Sequence, residues 1–250
     1  MRLLLSILTL LPALVFANGN VHLMEANNDL SDTDSLKRGA KTFVDSCLGC
    51  HSANFMRYSR MGKDLGITEE ELLSTYMHNT DKVGSPMHVA MDKDSAETFF
   101  GVVPPDLSVV SRSRGVNWIY TYLLSFYKDE SRPTGMNNTV FKDVGMPHIL
   151  LADQGLQKAV YKTETDENGH EHHVFEKFEP VNAEGLSQAE LDKKATAYEE
   201  KVRDLVNFFE YMGEPVKTYR QSLGIKVLIF LLIFFVLALL LKKEYWKDVH

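Results

Sequence analysis

The sequence predicts a mainly α-helical chain with a small β-hairpin excursion and a single C-terminal transmembrane helix. Three observations carry that reading. Val227 to Leu241 is fifteen uncharged apolar residues in a row, and so apolar a stretch suits lipid on every side better than the core of a soluble domain. Two capping boxes, Thr68-Glu-Glu-Glu71 and Ser187-Gln-Ala-Glu190, stand directly ahead of apolar residues at helical spacing. Only one stretch, residues 157–179, alternates with period two around a turn signal.

Taken in order, residues 1–17 hold one positive charge, an apolar run broken by Pro12, and Val15-Phe16-Ala17. Small residues in that pattern mark a cleaved export signal, and the run is too short to span a bilayer of about 30 Å. The expected organisation is a signal peptide over 1–17, an exported domain over 18–222, a membrane helix over 223–241 and a tail over 242–250. Lys242, Lys243 and Lys247 flank the apolar run, with Tyr245 and Trp246 as interfacial aromatics. The positive-inside rule therefore puts the tail in the cytoplasm and the domain on the periplasmic side of a bacterial inner membrane.

Residues 35–46 form an amphipathic helix with Leu36, Ala40, Phe43 and Val44 on one stripe. It leads straight into Cys47-Leu-Gly-Cys50-His51, which contains both cysteines of the chain. Two thiols three residues apart with histidine next is the attachment pattern of one covalently bound haem c. The thiols add to the two vinyl groups, and the histidine stands within reach of the iron. Once both cysteines are so used, no disulfide is left to staple the fold.

Further along, Thr68 opens a helix to about Asn79. Gly101-Val-Val-Pro-Pro-Asp-Leu-Ser108 is a stiff turn, because two prolines exclude helix there. Residues 116–127 read as a buried helix with Trp118, Tyr122 and Phe126 four apart. Gly145-Met146-Pro147 lies among turn formers, as a loop presenting a sulfur ligand should. Met136 is its rival, and Met146 has the stiffer context because proline fixes the chain just beyond it. Glu167-Asn-Gly169 marks the hairpin turn, with His170, His172 and His173 on the returning side. A polar exposed tip explains those histidines better than a metal site, since no co-ligand stands in a fixed frame. The helix opened by Ser187 runs to about Tyr211, and about ten residues then connect it to the membrane helix.

Charge limits the partners. The chain carries 34 acidic and 27 basic residues, net −7, and several of the basic ones lie in the leader and anchor. An acidic exported face excludes nucleic acid and suits a basic protein partner steered by electrostatics.

These residues in this order resemble the cytochrome c1 family, whose members are the haem-bearing subunit of ubiquinol–cytochrome c reductase, the bc1 complex. Its carriers are Lys37-Arg38-Gly39 ahead of Cys47–His51, then Ser52, Phe55 and Tyr58, the Pro104-Pro105-Asp106-Leu107-Ser108 turn, Gly145-Met146-Pro147, and Gly213-Glu-Pro215 before Leu223-Gly-Ile-Lys-Val227 and the anchor. The resemblance implies a class I c-type cytochrome-like haem domain. Cys47 and Cys50 are then the thioether attachments, His51 and Met146 the two iron ligands, and Arg112 the partner of a haem propionate. Pro104 and Pro105 become pocket wall, and Tyr58 a haem neighbour. The implied partners are the cytochrome b subunit, the Rieske iron–sulfur protein as electron donor and a cytochrome c acceptor, within a dimeric complex. The chain itself would be an electron carrier without its own substrate site, inside a quinol-oxidising enzyme. From the residues alone, a stand-alone anchored monohaem carrier or a haem peroxidase remain the alternatives. The chain departs from many relatives in having His148-Ile-Leu150 after Met146, where they have a longer apolar and proline-rich run.

Overall fold

The computed structural model describes residues 22–165, 169–181 and 185–248. The expected leader over 1–17 and the turn residues Glu167 and Asn168 lie outside the described residues. Helices dominate, and strands occur in three separate antiparallel pairs.

The frame is a crossing of two helices from opposite ends of the domain. Helix α1 (Thr33–Ser46) starts where the Asp32 side chain accepts from the Ser35 N–H at 2.9 Å. Helix α7 (Gln188–Gly213) starts with the Ser187/Glu190 capping box, as expected. They touch at Gly39, where a Cβ would stand 2.0 Å from the Asp204 carbonyl oxygen. Only glycine lets the backbones approach so closely. Around that point Phe43 packs on Phe208 and Phe209 at ring separations of 5.7 and 5.8 Å, and Arg38 makes two hydrogen bonds to Asp204 at 2.6 and 3.0 Å. The main core gathers here, with Ala40, Phe43, Val202, Leu205 and Phe208 fully buried.

Beyond α1 come strand β1 (Ala53–Arg57), helix α2 (Tyr58–Leu65) and a turn at Glu69–Glu71 that widens to π-helix over Leu72–Tyr76. Thr68 caps it through the Glu71 N–H at 3.2 Å, but the helix stops at Tyr76, short of Asn79. The wider turn keeps Leu72 and Tyr76 as its two buried residues. Strand β2 (Pro86–Met87) pairs with β1, and helix α3 (Lys93–Phe100) precedes the two-proline turn.

Helices α4 (Val110–Arg114) and α5 (Val116–Leu124) then pack on α7. Ser111 Oγ donates to the Phe209 carbonyl at 2.8 Å, and at Gly213 a Cβ would meet that same hydroxyl at 2.3 Å. Helix α5 ends three residues earlier than its apolar pattern suggests, because distant side chains take its last carbonyls. Tyr198 Oη donates to Leu123 O at 2.7 Å, Asn138 Nδ2 to Tyr122 O at 2.7 Å, and Gln154 Nε2 to Leu124 O at 2.9 Å. With those acceptors engaged the chain leaves the helix. Phe126–Lys128 becomes strand β3, paired with β4 (Met136–Asn138).

After the short helix α6 (Leu151–Gln154), strands β5 (Gln157–Thr165) and β6 (Glu171–Pro180) form the expected hairpin, with a register irregularity between Val160 and Tyr161. The expected ten-residue connection to the anchor is mostly helical. Helix α8 (Lys217–Tyr245) follows α7 after only Glu214–Val216, and the corner is braced by ion pairs from Lys217 to Glu210 and Arg220 to Glu214. At 29 residues, α8 is long and apolar enough to cross a membrane.

Candidate cofactor site

The Cys-x-x-Cys-His segment is a tight turn off the end of α1. The Cys47 N–H still bonds to the Phe43 carbonyl at 2.8 Å, and the Cys47 carbonyl in turn receives both the Cys50 and His51 N–H groups at 3.0 and 2.8 Å. That double acceptance folds residues 47, 50 and 51 into the wall of one cavity of about 370 Å³. Leu205 and Phe209 of α7 line it as well, as do Val110, Trp118 and Leu123 from α4 and α5. Pro104 and Pro105 come from the stiff turn, and Phe141, Val144 and Met146 from the loop after β4.

The two thiols are free of any disulfide, Cys47 buried and Cys50 half-buried. Burial first, and the neighbouring Cys50 second, push the Cys47 thiol up to about 12, which favours the neutral thiol over the thiolate. Among the described residues no group of three or more His, Cys, Asp or Glu side chains could hold a metal ion.

His51 is oriented from behind. Its Nδ1 lies 2.8 Å from the Pro105 carbonyl oxygen, which can only accept, so Nδ1 carries the proton and Nε2 keeps its lone pair. Burial lowers the imidazole's pKa, against the pull of that hydrogen bond and of Asp106, which favours the neutral, ligating form. The Pro105 carbonyl is itself fixed by the next residue. Asp106 Oδ1 accepts from the Ser108 N–H at 2.8 Å and Oδ2 from the Asn54 N–H at 2.9 Å. Burial alone would raise the Asp106 carboxyl, but its bonds to Ser108 and Asn54 outweigh that and hold it below the ordinary carboxylate range.

Met146 stands in the cavity wall and packs on a small apolar cluster of Phe126, Met136 and Val144. Met136 is buried inside that cluster, in β4, and does not line the cavity. The Tyr122 hydroxyl donates to Met146 Sδ at 3.3 Å.

The other expected residues fall as follows. Pro105 lines the cavity, and its working atom is the carbonyl. Arg112 does not line it. Arg114 does, with its guanidinium 5.1 Å from the centre of the Trp118 ring. Residues two apart on a helix point about 200° apart, so one turn cannot aim both arginines inward. Tyr58 is fully buried on another side of the core, its hydroxyl 3.4 Å from Asn79 Oδ1, and it does not line the cavity. Sequence reasoning passed over Arg114 and Tyr122. The signals were present in the repeated arginine after Ser111 and in the four-residue aromatic ladder.

Two thiols on one tight turn, an imidazole with a free nitrogen, a thioether and apolar walls with one arginine form a coherent donor set. It fits a flat apolar macrocycle held by two thioethers, with a nitrogen and a sulfur for its iron and a cation for an acidic edge group.

The comparisons with known proteins agree with that chemistry. The Cytochrome C1 family model matches residues 24–249. Cytochrome c1 of Allochromatium vinosum is 47% identical over 238 residues, covering 95% of this chain and 94% of that protein. The ammonia monooxygenase gamma subunit of Nitrosomonas europaea is 45% identical over 249 residues, covering 99% and 97%. The mitochondrial cytochrome c1 haem protein of Neurospora crassa is 24% identical over 239 residues, covering 86% of this chain and 62% of that one.

Proposed function

The chain belongs to the cytochrome c1 family, a haem-containing electron-transfer subunit of the bc1 complex with one covalent haem c, and from that premise we propose how its residues serve the task. Cys47 and Cys50 carry the thioethers, His51 and Met146 hold the iron, and the chain passes electrons from a Rieske iron–sulfur protein to a cytochrome c. The observation that carries this reading is the convergence of Cys47, Cys50, His51 and Met146 on one apolar cavity.

When bound, the haem supplies a one-electron iron couple whose potential a methionine ligand raises. The rest is the work of this chain. The Pro105 carbonyl holds His51 in the ligating tautomer. Leu107, Val110 and Leu123 exclude water, which favours a less charged iron centre. Arg114, in the wall where Arg112 was expected, is the cation placed to meet a propionate. If His51 and Met146 both held the iron, oxygen or peroxide would find no free position there, as suits a carrier and not a peroxidase.

In the domain reading that goes with this, residues 1–17 are removed on export, 18–222 stand on the periplasmic side of a bacterial inner membrane, 223–241 cross it and 242–250 reach the cytoplasm. The cytochrome b subunit is the neighbour of the anchor in a dimeric complex. Gentle detergent extraction tests the whole reading. The chain should co-purify with cytochrome b and an iron–sulfur protein, and quinol should reduce its haem. Isolation without them would favour a stand-alone carrier. Co-purification with the subunits of another membrane oxidoreductase would favour the service that the name of the Nitrosomonas relative suggests.

A further inference from the structure

We propose that a polar cavity beside the crossing of α1 and α7 binds a primary ammonium group. It shares no lining residue with the cavity that Cys47 and His51 face, so it stands independently of the haem assignment.

The cavity measures about 370 Å³. Glu200, Arg203, Asp204 and Asn207 line it from α7, at the spacing that puts them on one helix face. Asp32 and Arg38 line it from the start of α1, and Asp29 from the chain just ahead. Four carboxylates thus share the cavity with two guanidinium groups, and both cations are already engaged. Arg38 binds Asp204 through Nε and Nη2 at 2.6 and 3.0 Å, and Arg203 Nε donates to the Ala26 carbonyl at 3.2 Å. Asp29, Asp32 and Glu200 make no ion pair among the described residues.

A second observation comes from the cavity's buried wall. Asn207 is only 1% exposed. Its Nδ2 donates to the Asp29 carbonyl at 2.7 Å and to Ser35 Oγ at 3.1 Å, whereas its Oδ1 is buried and receives no donor among the described residues. A buried acceptor left without a donor is costly. The cavity therefore lacks two things at once, positive charge and hydrogen-bond donors. Water brings donors without charge. A metal ion brings charge, but no group of three or more His, Cys, Asp or Glu side chains among the described residues could hold one. An ammonium group brings one charge and three donors, enough to satisfy the Asn207 oxygen and reach carboxylates beside it as charge-assisted bonds. A free amine and the lysine of a neighbouring chain carry that same group.

The test titrates the full haem-loaded chain in low-salt detergent with butylammonium, which reproduces a lysine side chain, and follows the heat of binding. Tetramethylammonium is the control, having the charge without the N–H donors. Butylammonium should saturate one site, and tetramethylammonium should not. Glu200→Gln, at an exposed position, and Asp32→Asn, which keeps a side chain able to cap α1, should each weaken butylammonium binding about threefold while leaving unfolding stability in place. Absence of saturation, equal binding of the two cations, or unchanged affinity in both variants would each overturn the proposal. Treating native membranes with a carbodiimide then separates the sources, because the reagent joins a carboxylate to an amine in contact with it as an amide, with loss of water. A cross-link to a neighbouring subunit that disappears in Glu200→Gln and Asp32→Asn upholds the site and assigns it to a partner's lysine. Saturable butylammonium binding without such a cross-link upholds the site and assigns it to a free amine.

Discussion

His51 Nδ1 donates to the main-chain carbonyl of Pro105 at 2.8 Å, joining two segments 54 residues apart. The bond ties the Cys47–His51 turn to the Pro104-Pro105 pair, where two prolines restrict the backbone. A carbonyl in that place sets the imidazole tautomer without adding charge, and a proline-fixed backbone holds it without relying on a mobile side chain.

Asp106 sustains that carbonyl, so Asp106→Ala should release the turn. The loss of the bonds from Ser108 and Asn54 should cost about 1–2 kcal/mol in denaturant unfolding of the haem-loaded chain at neutral pH. The carboxyl's folded pKa lies below its ordinary value. Its stabilisation is therefore present above the unfolded value, near pH 4, and is lost as pH falls through the lowered folded value. The gap between native chain and variant should close in that acid range, and a gap constant down to pH 2 would contradict the assignment.

The crossing of α1 and α7 depends on Gly39. Its missing Cβ would stand 2.0 Å from a main-chain oxygen, which cannot swing aside as a side chain can. Gly39→Ala should lower unfolding stability by about 3 kcal/mol, with the thermal midpoint falling accordingly. Wild-type stability in that variant would mean the helices cross elsewhere.

His148 follows the methionine loop and is buried, stacked on Phe126 at 4.7 Å and edge-on to Tyr198 at 6.4 Å. Its Nε2 makes no hydrogen bond of ordinary geometry among the described residues, and burial lowers the imidazole's pKa against the smaller opposing pull of Gln154 and Asp153. The ring's packing should therefore matter more than its nitrogen. His148→Phe should stay within about 1 kcal/mol of the native chain, while His148→Ala should lose about 3 kcal/mol through the cavity it leaves. Equal losses in the two variants, read by chemical denaturation, would show that the nitrogen has a partner after all.

Attachment can be followed without any assay of electron transfer. Cys47→Ser and Cys50→Ser should each retain one thioether, and the double variant none. Haem staining after denaturing electrophoresis checks this: colour should survive in the single variants and vanish in the double. Colour in the double variant would place the attachment elsewhere.

Much of this was legible in the sequence because it depends on local chemistry. The Cys47–His51 spacing, the Ser187 capping box, the apolar run of α8 and the hairpin strands are each set by neighbours along the chain. What escaped was decided by distant partners. Helix α5 stops at Leu124 because Asn138, Tyr198 and Gln154 take its carbonyls, and nothing within residues 116–127 announces that. Arg114 lines the cavity in place of Arg112 because of the phase of a five-residue helix, and a phase error of two residues reverses a side chain's direction. The connection to the anchor is helical because Arg220 and Lys217 reach back to Glu214 and Glu210, pairs that the prolyl break at Pro215 obscured.

If His51 and Met146 are the two residues that would hold the iron of one haem c, as proposed, the chain is an electron carrier. The ferric spectrum of the Met146→Leu chain tests it most directly, with Met136→Leu beside it. A low-spin native protein is expected, with loss of the thioether band and a lowered midpoint potential for Met146→Leu and no change for Met136→Leu. A high-spin native spectrum, or a Met146→Leu chain that keeps its band and potential, would contradict it.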